Sequence, residues 1–144
     1  MIAGTDGRKM SKSYGNYFAL TQDESELDKS VKAMVTDPQR VRRNDPGNPD
    51  VCSVFAYHKL FSSEADQAWA RQGCVSAGIG CGDCKKRLSS NINVLMQKPR
   101  ETKKQLLQDS KALDSIISEG NERARVEAEK TMRHVREVTG FRIS

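Results

Sequence analysis

No apolar run in this 144-residue chain approaches the roughly 18 residues that a membrane-spanning helix needs. The first residues also lack the hydrophobic stretch of a secretory leader, so the protein is expected in the cytoplasm, with no membrane partner and with its thiols reduced. Strand-like alternation of apolar and polar residues is missing as well, which argues against a sheet and for an all-α fold. Only 36% of the residues are hydrophobic against 30% charged, and mean hydropathy is -0.69. A chain this polar builds one modest core, as a single domain or a domain with an arm, and gains from a further staple such as a metal.

What the chain does have is four cysteines in one 33-residue stretch, Cys52, Cys74, Cys81 and Cys84, spaced C-x21-C-x6-C-x2-C. Thiolates are soft ligands, and two of them two residues apart can grip one metal from a tight turn. Gly78 and Gly80 precede that turn and offer it positive backbone angles. Disulfides fit poorly with ligand-type spacing in a chain without a leader, and four separate buried thiols are the other structural alternative. Zinc and a four-iron four-sulfur cluster fit the spacing equally. His58 lies six residues from Cys52 and competes as a ligand, although a packed core histidine is the simpler reading.

The net charge of +5 is unevenly placed. Residues 81–104 carry Lys85, Lys86, Arg87, Lys98, Arg100, Lys103 and Lys104 against only Asp83 and Glu101. A basic strip beside the cysteines suits a polyanion, and a solvated helix face is the alternative.

Along the chain, residues 1–20 are rich in Gly, Ser and Lys without helical period and read as a flexible arm, in which Lys9 and Lys12 stand three apart. Thr21 to Glu24 has the form of a capping box, and Leu27, Val31, Met34 and Val35 predict a helix over about 23–36, ended by Asp37-Pro38. Residues 39–50 read as a basic loop with Arg40, Arg42 and Arg43. A nearly all-round buried helix follows, with Cys52 at its start, and Ser63 opens another with Ala68 and Trp69 facing inward. Leu88, Ile92, Leu95 and Met96 mark an amphipathic helix that Pro99 should kink or split. Beyond it Asp109 is a candidate cap and Gly120 a stop. A last helix from Asn121 to Gly140 should bury Ala124, Ala128, Met132 or Thr131, Val135 and Val138.

Four stretches then meet a family. DGRKMSKSYGN (6–16), VTDPQRVRRNDPGNPDVCSVFAYHKLF (35–61), GCGDCKKRL (80–88) and EGNERARVEAEKTMRHVREVTG (119–140) resemble the C-terminal part of a bacterial tryptophanyl-tRNA synthetase, a class I aminoacyl-tRNA synthetase. The resemblance implies a KMSKS segment over 1–22 and a helical anticodon-binding domain over 23–144, with the cysteine site at 52–84. Lys9, Ser11, Lys12 and Ser13 would contact the phosphates of ATP, supplied with Mg, and Lys9 and Lys12 would be catalytic in tryptophan activation. The four cysteines resemble those of a family subset that holds a four-iron four-sulfur cluster, which favours that group over zinc. Arg40, Arg42, Arg43, Lys85, Lys86 and Arg87 become candidate contacts to tryptophan tRNA, through phosphates rather than bases. The resemblance further implies an α/β nucleotide-binding domain, absent from this sequence and supplied in cis or in trans. The chain alone is therefore expected to be inactive and monomeric, and the complete enzyme a homodimer. A stand-alone tRNA-binding module, or a subunit of a split synthetase, is the alternative.

Overall fold

The structure, a computed structural model, describes residues 2–141. The regular structure among those residues is helical, with no strand beyond one isolated antiparallel bridge between Ala3 and Lys9. Five α-helices follow in order: α1 (Glu24–Ala33), α2 (Ser53–Phe61), α3 (Glu64–Val75), α4 (Cys81–Gln108) and α5 (Ser110–Thr139). Two short 3-10 turns, Lys12–Tyr14 and Pro49–Val51, punctuate the loops. The chain divides into two compact units, Met1–Glu101 and Thr102–Ser144.

The first unit holds the core. Leu27, Val31 and Met34 of α1 and its cap, Val54 and Tyr57 of α2, and Leu88 and Ile92 of α4 are all buried together. Each fully buried side chain of this size contributes about 1.5–3 kcal/mol. Met10, Phe18, Cys52, Phe61, Cys84 and Met96 pack around them, so the N-terminal segment and two of the cysteines, Cys52 and Cys84, rest on this core.

The N-terminal segment is consequently not a flexible arm. Tyr57 donates its hydroxyl to the Ala3 carbonyl at 2.5 Å and meets the Phe18 ring edge-on at 5.3 Å. The Val35 amide donates to the Thr5 carbonyl at 2.9 Å, and the Thr5 amide to that of Asn16 at 3.0 Å. A Gly/Ser/Lys-rich stretch reads as mobile only when its backbone groups have no partners, and here they have them.

Several helix ends depart from the sequence pattern. At α1 the N-cap is Asp23 rather than Thr21, and its side chain makes no capping bond. In α2 Leu60 is 55% exposed, so burial is one-sided rather than all-round. Ser63 caps α3 as the pattern indicates, accepting from the Asp66 amide, but Ala70 faces inward while Ala68 is exposed. Leu95 of the expected α4 stripe is likewise exposed. Pro99 neither ends nor divides α4, which continues to Gln108. Asp109 is the true boundary: its carboxylate accepts from the Ala112 amide and starts α5. That helix then runs through Gly120 without a break and stops at Gly140, which adopts φ 70°. Inside the second unit α5 buries none of its residues, so the apolar positions expected to be covered there are not.

Tyr57 is the tie between the N-terminal segment and the helices. Replacing it as Tyr57→Phe keeps the ring packing and strips the Ala3 carbonyl of its donor. The variant is expected to lose about 1 kcal/mol of stability, read as a lower urea midpoint with an unchanged slope.

Candidate functional sites

The loop around Lys9–Ser13 is held from below. Met10 points into the core, and its amide donates to the Ile2 carbonyl at 3.2 Å. Ser11 caps the Lys12–Tyr14 turn by accepting from the Ser13 amide at 3.2 Å, and Gly15 closes it at φ 64°, a conformation that favours glycine. Asn16, itself buried, is the brace of this loop. Its side chain accepts from the Ser11 amide at 2.7 Å and donates to the Lys9 carbonyl at 3.2 Å and to the Asp6 carboxylate at 2.7 Å. That bond from Asn16, with further help from Arg8, holds the Asp6 carboxyl down at about 2. Lys9, Lys12 and Ser13 remain exposed on the outer side, while Ser11 is half-buried. Two ammonium groups are thus presented to solvent from a backbone whose shape is fixed without them. Asn16 was not among the sequence-predicted site residues, because an asparagine after Gly reads as turn chemistry.

The cysteines come together from three helices. Cys52 is the N-cap of α2, Cys74 lies in the last turn of α3, and Cys81 and Cys84 occupy the first turn of α4. The C-x2-C pair is therefore helical rather than a turn of its own. Gly80 and Asp83 fix that helix start: the Cys84 amide donates to the Gly80 carbonyl at 3.1 Å, while the Gly80 amide donates to the Asp83 carboxylate at 3.1 Å. Neither Gly78 nor Gly80 has a positive φ; the left-handed residue of the preceding loop is Ala77, at 56°. All four thiols are free and half-buried. Burial and then the neighbouring Cys52, Cys74 and Cys81 push the Cys84 thiol up to about 12, and burial also raises Cys74.

His58 is a core residue, fully buried between α2 and α4. Its Nδ1 lies 2.8 Å from Ser62 Oγ, and its Nε2 lies 3.2 Å from the Cys84 carbonyl and 3.4 Å from Cys84 Sγ. Burial holds its pKa below the ordinary histidine value, so it touches the cysteine site as a neutral ring.

The six basic residues expected to face RNA are divided by the structure. Arg42 and Lys86 are exposed, and Arg43 is exposed with a 4.0 Å approach to Asp83. Arg87 pairs with Asp66 at 3.5 Å and lies over the Trp69 ring. Lys85 donates to the Lys32 carbonyl at 2.8 Å. Lys85 and Lys86 line an open groove of about 900 Å³ between α1 and α4, with Lys32, Asp28, Asn93 and Arg100 among its other walls. Arg40 is turned inward, only 8% exposed. Its Nη2 donates to the Arg43 and Ile79 carbonyls, each at 2.7 Å, and Nη1 lies 4.0 Å from Cys74 Sγ.

A four-thiolate group fits these residues. The thiols are free, they act on one another electrostatically, and the buried Nε of Arg40 beside them has no hydrogen-bond partner among the described residues. Among the described residues no three cysteines, histidines or carboxylates are grouped closely enough to hold a single metal ion. Nor is any helix among the described residues long and apolar enough to cross a membrane.

The family described as tRNA synthetases class I (W and Y) matches residues 1–97. The tryptophan–tRNA ligase of Thermotoga maritima is 47% identical over 136 residues, covering 94% of this chain and 42% of that protein. Its counterpart from Ralstonia nicotianae is 41% identical over 143 residues, covering 99% and 36%. The crystal structure of tryptophanyl-tRNA synthetase from Campylobacter jejuni, complexed with ADP and tryptophan, aligns with a TM-score of 0.83 at 32% identity. That alignment covers 97% of this chain and 43% of the other. This chain thus spans about two fifths of the length of the curated relatives it matches.

The Asn16 clasp has a pH signature. Asp6 has a folded pKa below its ordinary 3.8, so its contribution to stability is complete above pH 3.8 and is lost as pH falls through about 2. A carboxyl carbon NMR titration should place the Asp6 midpoint near the lower value, and Asn16→Ala should move it up towards the ordinary one. Identical midpoints in the two proteins would show that Asn16 does not hold Asp6.

Proposed function

This chain belongs to the class I tRNA synthetases of the W and Y group, and from that premise we propose that it is the signature-loop and helical portion of a tryptophan–tRNA ligase. The observation that carries the reading is the loop itself: Lys9 and Lys12 are exposed, while Met10 and Asn16 anchor the backbone beneath them. In tryptophan activation the carboxylate attacks the α-phosphate of ATP and pyrophosphate leaves, so negative charge builds on the departing phosphates. Lys9 and Lys12 stabilise that charge, and Ser11 and Ser13 shape the turn that presents them. A donor whose position is fixed before the reaction needs no reorganisation at the transition state, which is where its rate advantage comes from.

The helical part is proposed to bind tryptophan tRNA. Of the six candidates, Arg42, Arg43 and Lys86 are exposed cations suited to phosphates, and Arg43 approaches Asp83 within the C-x2-C stretch. Lys85 and Arg87 are engaged within the chain and support that surface. The cysteines are proposed to hold a four-iron four-sulfur cluster. This is favoured over zinc because the four cysteines resemble those of a family subset that holds such a cluster. When bound, it supplies a cross-link between the starts of α2 and α4 and the end of α3.

Both halves of the proposal have tests. In a complete ligase containing this segment, Lys12→Ala should slow adenylate formation by about 10²–10³-fold while leaving tryptophan affinity nearly unchanged. An unaltered rate in pyrophosphate exchange would remove the catalytic assignment. For RNA, the anaerobically purified chain should bind tryptophan tRNA more tightly than the same tRNA with a changed anticodon. Salt must be held fixed, because phosphate contacts alone give affinity that falls steeply with salt. Equal weak binding to both would count against recognition by this portion.

A further inference from the structure

Arg40 sits in the loop that the sequence presents as solvated and basic, yet it is one of the few buried charged residues among those described. Asp37 organises that loop: its carboxylate accepts from the Gln39 amide at 2.9 Å and from the Asn48 amide at 2.7 Å. The Arg40 amide bonds the Asp37 carbonyl at 3.2 Å, and the side chain is delivered inward. At Gly47 the packing is tightest. A Cβ there would lie 2.6 Å from Cys74 Sγ and 3.1 Å from Arg40 Cδ, so only glycine lets the arginine stem and the thiol approach the same backbone. The Gly47 amide meanwhile donates to the Cys74 carbonyl at 3.0 Å.

A buried guanidinium needs a counter-charge as well as acceptors. Two carbonyls occupy Nη2, but among the described residues no carboxylate pairs with Arg40, and its buried Nε–H has no acceptor. The side-chain group it does approach is a thiol: Nη1 lies 4.0 Å from Cys74 Sγ. We infer that Arg40 is a positioning residue of the cysteine site, donating from its unpartnered nitrogen to the sulfur of the bound group and balancing that group's negative charge, and that it is not an RNA contact. The inference rests on the iron-sulfur reading above. Hydrogen bonds and positive charge beside cluster sulfurs stabilise the reduced, more negative state and so raise the reduction potential.

The experiment is anaerobic reconstitution with iron and sulfide of the wild type, Arg40→Gln and Arg40→Lys. Iron and sulfide content is measured first, then the potential by EPR-monitored redox titration. Arg40→Gln is expected to load a cluster with a more negative potential, the reduction equilibrium falling at least about tenfold, which is about 59 mV for one electron. Arg40→Lys, which keeps the charge, should recover part of that shift. Equal potentials at equal cluster content in wild type and Arg40→Gln would overturn the inference while leaving the iron-sulfur reading intact. A wild type that takes up no iron and sulfide overturns that reading, and the inference with it. Should Arg40→Gln fail to fold, the wild type decides alone: with arginine labelled by 15N, pulsed EPR of the reduced cluster should show a nitrogen coupling, and its absence refutes the inference.

Discussion

The inward face of α2 is the surface on which both candidate sites are built. Val54 and Tyr57 enter the core beside Leu88 and Ile92 of α4 and Leu27 and Val31 of α1, and the same short helix touches each site directly. Tyr57 reaches the N-terminal segment through the Ala3 carbonyl and the Phe18 ring. Its neighbour His58 reaches Cys84, and Cys52 caps the helix that carries them both. Nine residues are too few for a stable helix in isolation, so α2 exists because these contacts hold it. Losing its burial would release the lysine loop and the cysteines together, although neither site borrows a functional group from the other.

The two sites treat positive charge in opposite ways. Lys9 and Lys12 are kept in water by a backbone that is anchored through Met10 and Asn16, so both side chains stay exposed. Arg40 is withdrawn from water and committed to fixed acceptors. A lysine suits the first role because its ammonium group is a mobile, strongly hydrated point charge. The flat guanidinium suits the second, since it can serve several fixed acceptors at once and sheds water more easily.

Much of this was legible in the sequence, and the failures have physical reasons. The apolar period located α1, α2 and α4, and Ser63, Asp109 and Gly140 marked ends where the side chain or backbone has a specific bond to make. Pro99 and Gly120 misled because each imposes only a local penalty. A proline in a helix forfeits one hydrogen bond and crowds one turn, and a glycine without a following left-handed turn only weakens the helix by about 1 kcal/mol. Along α5 the period identifies an apolar face but says nothing about what covers it, so burial did not follow within the second unit. The grouping of the cysteines in one stretch was legible, whereas their placement on helix ends was not.

Arg40 shows the deepest limit. In sequence it is one of three arginines in a loop of Pro, Gly, Asn and Asp, with nothing to separate it from Arg42 and Arg43. Only the fold brings the Ile79 carbonyl, 39 residues away, within reach, and only the fold shows that Gly47 leaves room for the stem beside Cys74. A residue's charge can be read from its letter, but its counter-charge depends on long-range contacts that no local pattern encodes. The same reasoning explains why this loop needs no regular structure. Asp37 ties its two ends, Arg40 ties it to the end of the α3–α4 connection, and Gly47 rests against Cys74. The Arg40 and Gly47 ties end at or beside the cysteine site, so a group bound to the four thiols would order the loop from its far side, and its binding energy would appear as folding energy of the first unit.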